Sequence, residues 1–516
     1  MPNRSSDSLF QLIKSLEKSE KRNFKLYMGR NSASEELKTI QLFDALDKME
    51  DYDEVQLLTK NKSIRKQQLS NSKAHLYRQI LASLRLLRNE DNIDIQLHEQ
   101  LDHARILYNK GLYLQSLKVL DRIKENARAH NQVTFLLQVL FFEKTIEALH
   151  ITRSMQDRAD QLTGEVDEVN NQLRLISQLS NLSLQLYSWY IRNGVARSEK
   201  DEKAVQEFFD RHLPADLSGA TGFYQRLYMY QSFCWNAFIR QDFLQYYRYT
   251  QKWVDLFEKE PFMIGIETSH YIKGMHNLLG AHFDLLNVQK FGETLRHFEE
   301  FSESRVVREN VNNRIQTFVY LYISKLNKHF IDGTFTEGLS LVPYIEDKLK
   351  EYWIYLDRHR ILVFYYKIAC LYFGSGDYGR TIDYLGKIIN WKVDLRTDLQ
   401  CYSRLLHLIS HYELGNFDLM EYLIKSVYRF MAKMENLSGV EEEIFRFLRR
   451  SFNVVPGEMR GEFERLLEKL KKYEKNRFET RAFVYLDIIS WLESKIRNVP
   501  VQDVIRDKFL SGNRRG

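Results

Sequence analysis

Gly374, Gly376 and Gly379 have the spacing of a motif that binds dinucleotides. They lie in the segment FGSGDYGRTIDYLGKIIN, residues 373–390. Such glycines hold a pyrophosphate only where a β-strand precedes them and a helix follows. Here the preceding residues, RHRILVFYYKIACLY, are apolar on all sides over a length that suits a helix. We therefore predict that Gly376 lies in a turn between two helices and binds no nucleotide.

A second pair of residues has the spacing of metal ligands. His407 and His411, in the sequence HLISH, lie four residues apart and would share one face of a helix. The motif lacks the glutamate of a metalloprotease, and no nearby Cys or Asp offers an obvious third ligand. The sequence also lacks a nucleophile elbow, a phosphate-binding loop and paired carboxylates in a glycine-rich setting. We therefore expect no enzyme activity, no metal and no cofactor.

Residues 60–88 carry positive charge without any acidic residue, and they could bind an anionic partner. Arg78 and Arg85 would share a helix face beside an apolar stripe, on a helix beginning near Ser70 or Ser72. Such a helix could enter the major groove of DNA, or it could be a solvated face or a docking site for an acidic protein. The basic residues are Lys60, Lys62, Arg65, Lys66, Lys73, Arg78, Arg85 and Arg88, and the stripe is Leu76, Ile80, Leu84 and Leu87.

The composition favours a soluble protein made of long helices. Of the 516 residues, 44% are hydrophobic and 28% are charged, whereas Gly (22) and Pro (6) are scarce. The net charge of +6 is a mild bias over this length. Three cysteines without CxxC spacing, and an N-terminus without an apolar signal region, predict a cytoplasmic protein. The longest apolar stretches, such as FLLQVLFF at 135–142, are too short to span a membrane.

Helical periodicity continues to the C-terminus, where Phe463, Leu466, Leu467 and Leu470 form an apolar stripe. Pro343 should start or kink a helix. The acidic run 441–443 should be the solvated first turn of a helix, where the helix dipole favours negative charge.

A short turn with an aromatic residue two positions after its first residue recurs along the chain. From residue 243 onward the aromatic returns at 291, 335, 378 and 417. Two weaker turns are expected near Met155 and Gly194. The recurring turns are Gly111/Tyr113, Gln241/Phe243, Gln289/Phe291, Gly333/Phe335, Gly376/Tyr378 and Gly415/Phe417.

These turns resemble those of the tetratricopeptide repeat family, in which Gly-Asp/Asn-Tyr/Phe joins a helix pair and small residues flank the turn. Two segments match well, and the resemblance covers residues 96–435 with a period near 40 rather than the family's 34. The matching residues are Ala104, Leu107, Gly111, Tyr113, Ser116, Leu120 and Ile123 in one segment, and Ala369, Tyr372, Gly376, Tyr378, Thr381, Leu385 and Ile388 in the other.

The resemblance implies an all-α fold: a right-handed superhelix of antiparallel helix pairs, or α-solenoid. We expect an N-terminal basic helical module at 1–95, repeats at 96–435 and a C-terminal helical cap at 436–516. The whole chain is also similar to helical proteins of Bacteroidota bacteria, particularly in LFQLIKSLEKSEKRNFKLY. That likeness brings no known activity with it.

In tetratricopeptide repeats the first helix of each pair lines a concave groove, so the resemblance implies which residues would face a partner. Here aromatic residues occupy these positions, which predicts either a groove for apolar or extended partners or a tight superhelix that buries the face. The predicted groove residues are Tyr108, Tyr228, Trp235, Phe238, Tyr320, Phe330, Tyr366, Phe373, Tyr402 and Tyr412.

The sequence therefore predicts a non-enzymatic cytoplasmic scaffold or adaptor that binds a protein or peptide in this groove. The alternative is a nucleic-acid-binding regulator that uses residues 60–88, with the repeats as a sensor or oligomerisation domain.

Overall fold

A computed structural model describes most of the chain. The described residues are 7–29, 34–60, 66–87, 92–150, 157–391, 397–434, 437–451, 454, 456–474, 476, 478–479 and 487–512. Every regular element among them is helical, which confirms the all-α prediction. The chain forms two compact units, Met1–Asn170 and Asn171–Gly516. The predicted domain boundaries at residues 95 and 435 stay predictions. They were placed where the repeat pattern begins and ends, whereas the two units are defined by compactness.

Unit 1 begins with a small helical bundle, in which Phe24, Phe43 and Leu76 are fully buried, and continues with longer paired helices. Its helices are α1 (Ser8–Ser15), α2 (Lys18–Met28), α3 (Ser34–Lys48), α4 (Glu54–Lys60), α5 (Lys66–Leu87), α6 (Ile93–Asn109), α7 (Tyr113–Ala129), α8 (Val133–His150) and the first part of α9 (Arg158–Asn193). The basic helix α5 therefore begins several residues before the predicted start near Ser70 or Ser72. In its apolar stripe Leu76 and Ile80 are buried, whereas Leu87 is exposed.

Unit 2 contains the rest of α9 and the remaining helices, which pack mainly on their neighbours in the chain. They are α10 (Glu199–His212), α11 (Phe223–Ile239), α12 (Phe243–Lys259), α13 (Phe262–Ile266), α14 (Thr268–Asp284), α15 (Val288–Ser302), α16 (Arg305–Arg308), α17 (Val311–Asp332), α18 (Phe335–Gly338), α19 (Val342–Glu351), α20 (Arg358–Ser375), α21 (Tyr378–Ile389), α22 (Thr397–Glu413), α23 (Phe417–Lys433), α24 (Gly439–Ser451), α25 (Met459–Lys471), α26 (Ile488–Arg497) and α27 (Val501–Leu510). As predicted, Pro343 lies in the first turn of a helix, α19.

Most of the predicted turns between helices are present. Gly111, Gly333, Gly376 and Gly415 each have a positive φ angle, between 68° and 88°. Glycine adopts this left-handed conformation without the steric cost that a Cβ atom brings, and it ends a helix cleanly. Gln241 takes the same role with a φ of 59°.

One predicted turn was placed three residues too late. The left-handed residue between α14 and α15 is Leu286, with a φ of 52°, and not Gln289. The side chain of Asn287 accepts a hydrogen bond from the backbone N–H of Lys290 and so caps α15. Phe291, which the sequence prediction had placed in the turn, lies inside α15 and is buried.

Of two further turns, one was expected and one was not. Gly194 ends α9 with a φ of 75°, as expected, whereas the turn at Asn131 between α7 and α8 was not predicted. The turn expected near Met155 lies outside the described residues.

The two best repeat matches form the same helix-pair contact. Ala104 and Ser116 are fully buried where α6 meets α7, and Ala369 and Thr381 are fully buried where α20 meets α21. The Ser116 hydroxyl donates to the Ala104 carbonyl at 2.8 Å. Thr381 and Ala369 form the equivalent contact at 3.5 Å. Small residues therefore let these helices approach closely, as the sequence pattern predicted.

The C-terminal helices pack on more than the end of the helix array. Helix α27 contacts α17 and α20, which lie well before it in the chain. Val501, Val504 and Ile505 are spaced along one face of α27, and all three are buried. The backbone N–H of Thr336 donates to the side chain of Gln502 at 3.3 Å, and this bond helps hold α27 against the earlier helices. The predicted cap therefore also covers the middle of the array.

Candidate functional site

The ten predicted groove residues lie in different environments. Tyr366, Phe373 and Tyr402 are buried, with 5–6% of their surface exposed. A buried ring is not accessible to a partner, so these three do not belong to a binding surface in this structure. The other seven are half-buried: Tyr108, Tyr228, Trp235, Phe238, Tyr320, Phe330 and Tyr412.

Three of these seven lie on α11 of unit 2 and Tyr320 lies on α17, and three of these four rings belong to one cluster. On α11, the ring centroids of Trp235 and Phe238 are 6.1 Å apart. Tyr187 and Tyr190 at the end of α9 pack on Trp235, with centroid distances of 5.0 and 5.6 Å. These side chains form an aromatic surface on α9 and α11, and the Lys273 ammonium connects it to Tyr320 on α17. Tyr228, the fourth, lies beside it against His270.

Positive side chains link this aromatic surface to the next helices. The Lys273 ammonium on α14 lies 5.9 Å from the ring centroid of Trp235 and 5.0 Å from that of Tyr320. The Arg360 guanidinium on α20 lies 5.9 Å from the ring centroid of Tyr320. Cations are attracted to the faces of aromatic rings, so these contacts hold both charges on the ring. We call Tyr187, Tyr190, Trp235, Phe238, Lys273, His276, Tyr320 and Arg360 the aromatic–cation cluster.

Tyr320 is the centre of the cluster. Burial opposes ionisation of its hydroxyl group, but the charges and hydrogen bonds of Lys273 and Arg360 outweigh burial and lower its pKa. The imidazole of His276 stacks on the Tyr320 ring, with centroids 4.3 Å apart and planes 22° apart. Lys367, on the same helix as Arg360, donates to the side-chain oxygen of Asn327 at 2.6 Å.

The electrostatic environment of the cluster is positive. The pKa of His276 is well below its ordinary value, first because desolvation disfavours the charged imidazole and then because Lys273, Lys367 and Arg360 repel its charged form. His276 is therefore neutral at pH 7. Its Nδ1 atom is buried and has no hydrogen-bond partner among the described residues.

Compared with models of known protein families, with curated protein sequences and with solved structures, the chain gives no match.

The resemblance to tetratricopeptide repeats therefore stays a prediction, and the site has to be interpreted from its own residues. Phe330 packs against Phe335 and under the Lys367 ammonium. Tyr412 contacts Phe447 and Trp491, so it faces the C-terminal helices.

Tyr108 belongs to unit 1 and forms a separate group. Its ring contacts Tyr113, Phe142 and His150 at centroid distances of 5.5–5.7 Å. His150 stacks on Tyr113 at 3.7 Å. These aromatic contacts join the ends of α6, α7 and α8, which is a packing role.

The predicted basic surface is smaller than the sequence indicated. Lys66, Arg78 and Arg85 on α5 are exposed. Lys73 forms an ion pair with Asp7 and donates to the Tyr52 hydroxyl at 2.8 Å, so it holds the N-terminal bundle together. Arg85 also has an acidic partner, Asp102, at 3.2 Å. The remaining predicted residues are outside the described residues or have an undescribed side chain: Lys60, Lys62, Arg65 and Arg88.

The surroundings of the glycine motif and of the histidine pair suit helix termination and packing. Gly376 ends α20, and an added Cβ atom would meet nothing within 4 Å. His407 and His411 have ring centroids 4.6 Å apart, and His411 Nδ1 contacts the Asn416 side-chain amide at 3.0 Å. Among the described residues, no group of three His, Cys, Asp or Glu side chains could hold a metal ion.

The cysteines and the helix lengths give no further site. Cys234 and Cys401 are buried and Cys370 is half-buried, and none forms a disulfide. Burial raises the pKa of Cys234 well above its ordinary value, so its thiol is a poor nucleophile. Across the described ranges, no helix combines the length and the apolar character that crossing a bilayer requires.

Sequence reasoning missed the charged half of the cluster. Trp235, Phe238 and Tyr320 were predicted from the repeat register, whereas Lys273, His276 and Arg360 were not. These three residues come from two helices that are distant in the chain. The repeat register could have indicated them. The first-helix positions that predicted the aromatic residues also occur on α14 and α20.

Proposed function

We propose that the chain is a non-enzymatic binding protein that holds a protein or peptide partner on the aromatic–cation cluster of unit 2. The observation that carries this proposal is the continuity of the cluster over α9, α11, α14, α17 and α20. Large, rigid aromatic side chains with adjacent cations are typical of the residues that dominate binding energy at protein interfaces. A helix array presents such residues along an extended surface.

The partial exposure of the cluster supports a binding role over a packing role. Tyr187 is 41% exposed although it contacts Trp235, and the remaining rings of the cluster are half-buried. Elsewhere in unit 2, rings that serve only packing, such as Phe257, Phe291 and Phe364, are fully buried. Aromatic rings that are held in place but still accessible lose little conformational freedom when a partner covers them.

The test compares two exposed tyrosines. Tyr187→Ala removes a ring from the cluster, whereas Tyr422→Ala removes a ring that is 74% exposed on α23. Both variants should fold, and the partner is captured from cells that naturally make the protein. We expect Tyr187→Ala to weaken capture by about tenfold or more, as for a hot-spot residue, and Tyr422→Ala to leave it unchanged. Equal capture by both variants would refute the proposed surface.

The nucleic-acid alternative has less support. Of the four basic residues whose side chains are described on α5, Lys73 and Arg85 already pair with carboxylates. A nucleic-acid complex should dissociate steeply as salt rises, because counterions released on binding return to the phosphates. Partner capture in the presence of nuclease and over a range of salt concentrations therefore separates the two functions.

A further inference from the structure

The centre of the aromatic–cation cluster has hydrogen-bond donors but few acceptors. The Lys273 ammonium and the Arg360 guanidinium lie 5.0 and 5.9 Å from the ring centroid of Tyr320, and both groups are hydrogen-bond donors without acceptor capacity. A tyrosine hydroxyl has two acceptor positions and one proton to donate. Since both neighbouring cations can only donate, the hydroxyl proton needs an acceptor elsewhere. Among the described residues, no side chain is seen to accept it.

One of the two cations, Arg360, has an exposed carboxylate partner, and the other has none among the described residues. Asp357 lies 3.4 Å from Arg360 Nε, but its side chain is 54% exposed and caps α20 by accepting from the Arg360 backbone N–H at 2.9 Å. Glu267 accepts from the Tyr224 hydroxyl at 2.6 Å and contacts His270 at 2.8 Å. Within the described part of the chain, Lys273 has no ion-pair partner.

We propose that this centre binds an oxyanion carried by the peptide partner, either a carboxylate or a phosphate group. The proposal rests on the function proposed above and names the chemistry that the partner must bring. Lys273 and Arg360 would donate to the anion oxygens, and the Tyr320 proton would complete the set of donors. Hydrogen bonds in which one group is charged are the strong ones in proteins.

The aromatic part of the cluster indicates what lies beside the anion. Trp235 contacts both the Lys273 ammonium and the rings of Tyr187 and Tyr190. A partner whose acidic group is followed by an apolar or aromatic side chain would cover both parts at once. We therefore expect peptides with an acidic residue next to an aromatic residue to bind better than acidic peptides without one.

The first experiment measures peptide affinity on the full chain. The probes are a Glu-Phe peptide, its Gln-Phe counterpart and a phosphotyrosine peptide, with inorganic phosphate as the free anion. Preference for the glutamate peptide identifies a carboxylate site, and preference for the phosphotyrosine peptide identifies a phosphate site. Either preference supports the proposal, whereas equal binding of the Gln-Phe peptide overturns it.

Two variants and a matched control test the donors. Tyr320→Phe keeps the ring and removes only the hydroxyl, and Lys273→Met keeps the side-chain length and removes the charge. We expect each to weaken anion binding by about tenfold or more, which corresponds to one hydrogen bond to a charged group. Lys290→Met is the control, because Lys290 also donates to a tyrosine hydroxyl, that of Tyr247 at 3.0 Å. Unchanged affinity in the first two variants would contradict the proposal.

His276 gives a readout that does not depend on the choice of peptide. A bound anion would offset the positive charges that lower the pKa of His276, so this pKa should rise when inorganic phosphate or acetate is added. NMR titration of the His276 ring measures the rise, which should vanish in Lys273→Met and persist in Lys290→Met. No rise with either anion would refute the anion site. If Tyr187→Ala still abolished partner capture in that case, the binding function would stand and only its anionic chemistry would be wrong.

Discussion

The three glycines with nucleotide-motif spacing should respond very differently to replacement by alanine, because each has a different structural surrounding. A Cβ atom at Gly374 would lie 2.1 Å from Cδ1 of Phe335, a ring that is itself buried. A Cβ atom at Gly376 would meet no neighbour, but this residue has a φ of 88°. Gly379 is exposed in the first turn of α21, and its Cβ atom would make only one ordinary contact.

These surroundings give an order of stability. Gly374→Ala forces the Phe335 ring to move, and overpacking of this kind costs about 1–3 kcal/mol of unfolding free energy. The higher helix propensity of alanine offsets up to about 1 kcal/mol of this cost. Gly376→Ala should cost about 1 kcal/mol, because an alanine resists the left-handed conformation. Gly379→Ala should be neutral or stabilise the protein by up to about 1 kcal/mol, since alanine favours the helix.

The assay is urea unfolding followed by circular dichroism for all three variants, with NAD and ATP titrations in parallel. We expect Gly374→Ala to be the least stable and Gly379→Ala the most stable, with no saturable nucleotide binding to the native chain. A similar loss in all three variants, or nucleotide binding that disappears with Gly376→Ala, would refute the assignment of these glycines to helix packing and helix termination.

Three further predictions concern burial, pH and the basic helix. Phe373→Ala should cost about 3–5 kcal/mol of unfolding free energy, because the ring is 6% exposed in the core; a loss below about 1 kcal/mol in a thermal or urea melt would contradict its burial. The pKa of His407 is lowered to about 4, first by burial and then by the charges of His411 and Arg404. The unfolded chain therefore binds a proton between pH 6.5 and 4 that the folded chain does not, so stability should fall as the pH is lowered through this range. His407→Gln should weaken that dependence without removing it, because burial also lowers the pKa of His282 to about 4; an unchanged pH profile would show that the His407 ring is not buried in its neutral form. Arg78→Glu with Arg85→Glu should leave folding intact, since both side chains are exposed, and should leave capture by the aromatic–cation cluster unchanged. Loss of capture in this double variant, together with a smaller salt dependence, would favour the nucleic-acid alternative.

The fold class could be predicted because its signals are local. Apolar residues at helical spacing and a scarcity of Gly and Pro indicate helices without reference to the rest of the chain. Ala104 with Ser116, and Ala369 with Thr381, predicted helix-pair contacts because the two residues of each pair lie on consecutive helices joined by one short turn. The displaced turn at Leu286 shows the limit of this reasoning. An aromatic residue was used to set the register, whereas the capping residue Asn287 determines where α15 begins.

Contacts between distant segments could not be predicted in the same way. The sequence left open whether Phe373 lines an accessible groove or a buried face, and it is buried in the core that the C-terminal helices complete with Trp491, Val501 and Ile505. The acidic run 441–443 was expected in solvent, yet the side chain of Glu441 accepts from the Ser438 backbone N–H at 2.9 Å and is 1% exposed. A single sequence contains no local sign of either burial.

The same reason explains why only the aromatic half of the site was predicted. Lys273 and Arg360 are ordinary charged residues of helical segments when the sequence is considered alone. They become a site only because α14 and α20 both pack on α17 and bring both side chains to Tyr320. A positive charge on a helix is usually solvated, so its role depends on what the neighbouring helices place beside it.

The central claim is that a partner covers the aromatic–cation cluster, and site-specific photo-crosslinking tests it most directly. A photoreactive phenylalanine analogue replaces Tyr187 in the cluster, or Tyr422 on α23 as the control, in cells that naturally make the protein. Crosslinking of a defined protein from position 187 and not from position 422 is the predicted result. Crosslinks that arise from position 422 alone, or equally from both positions, would contradict the claim.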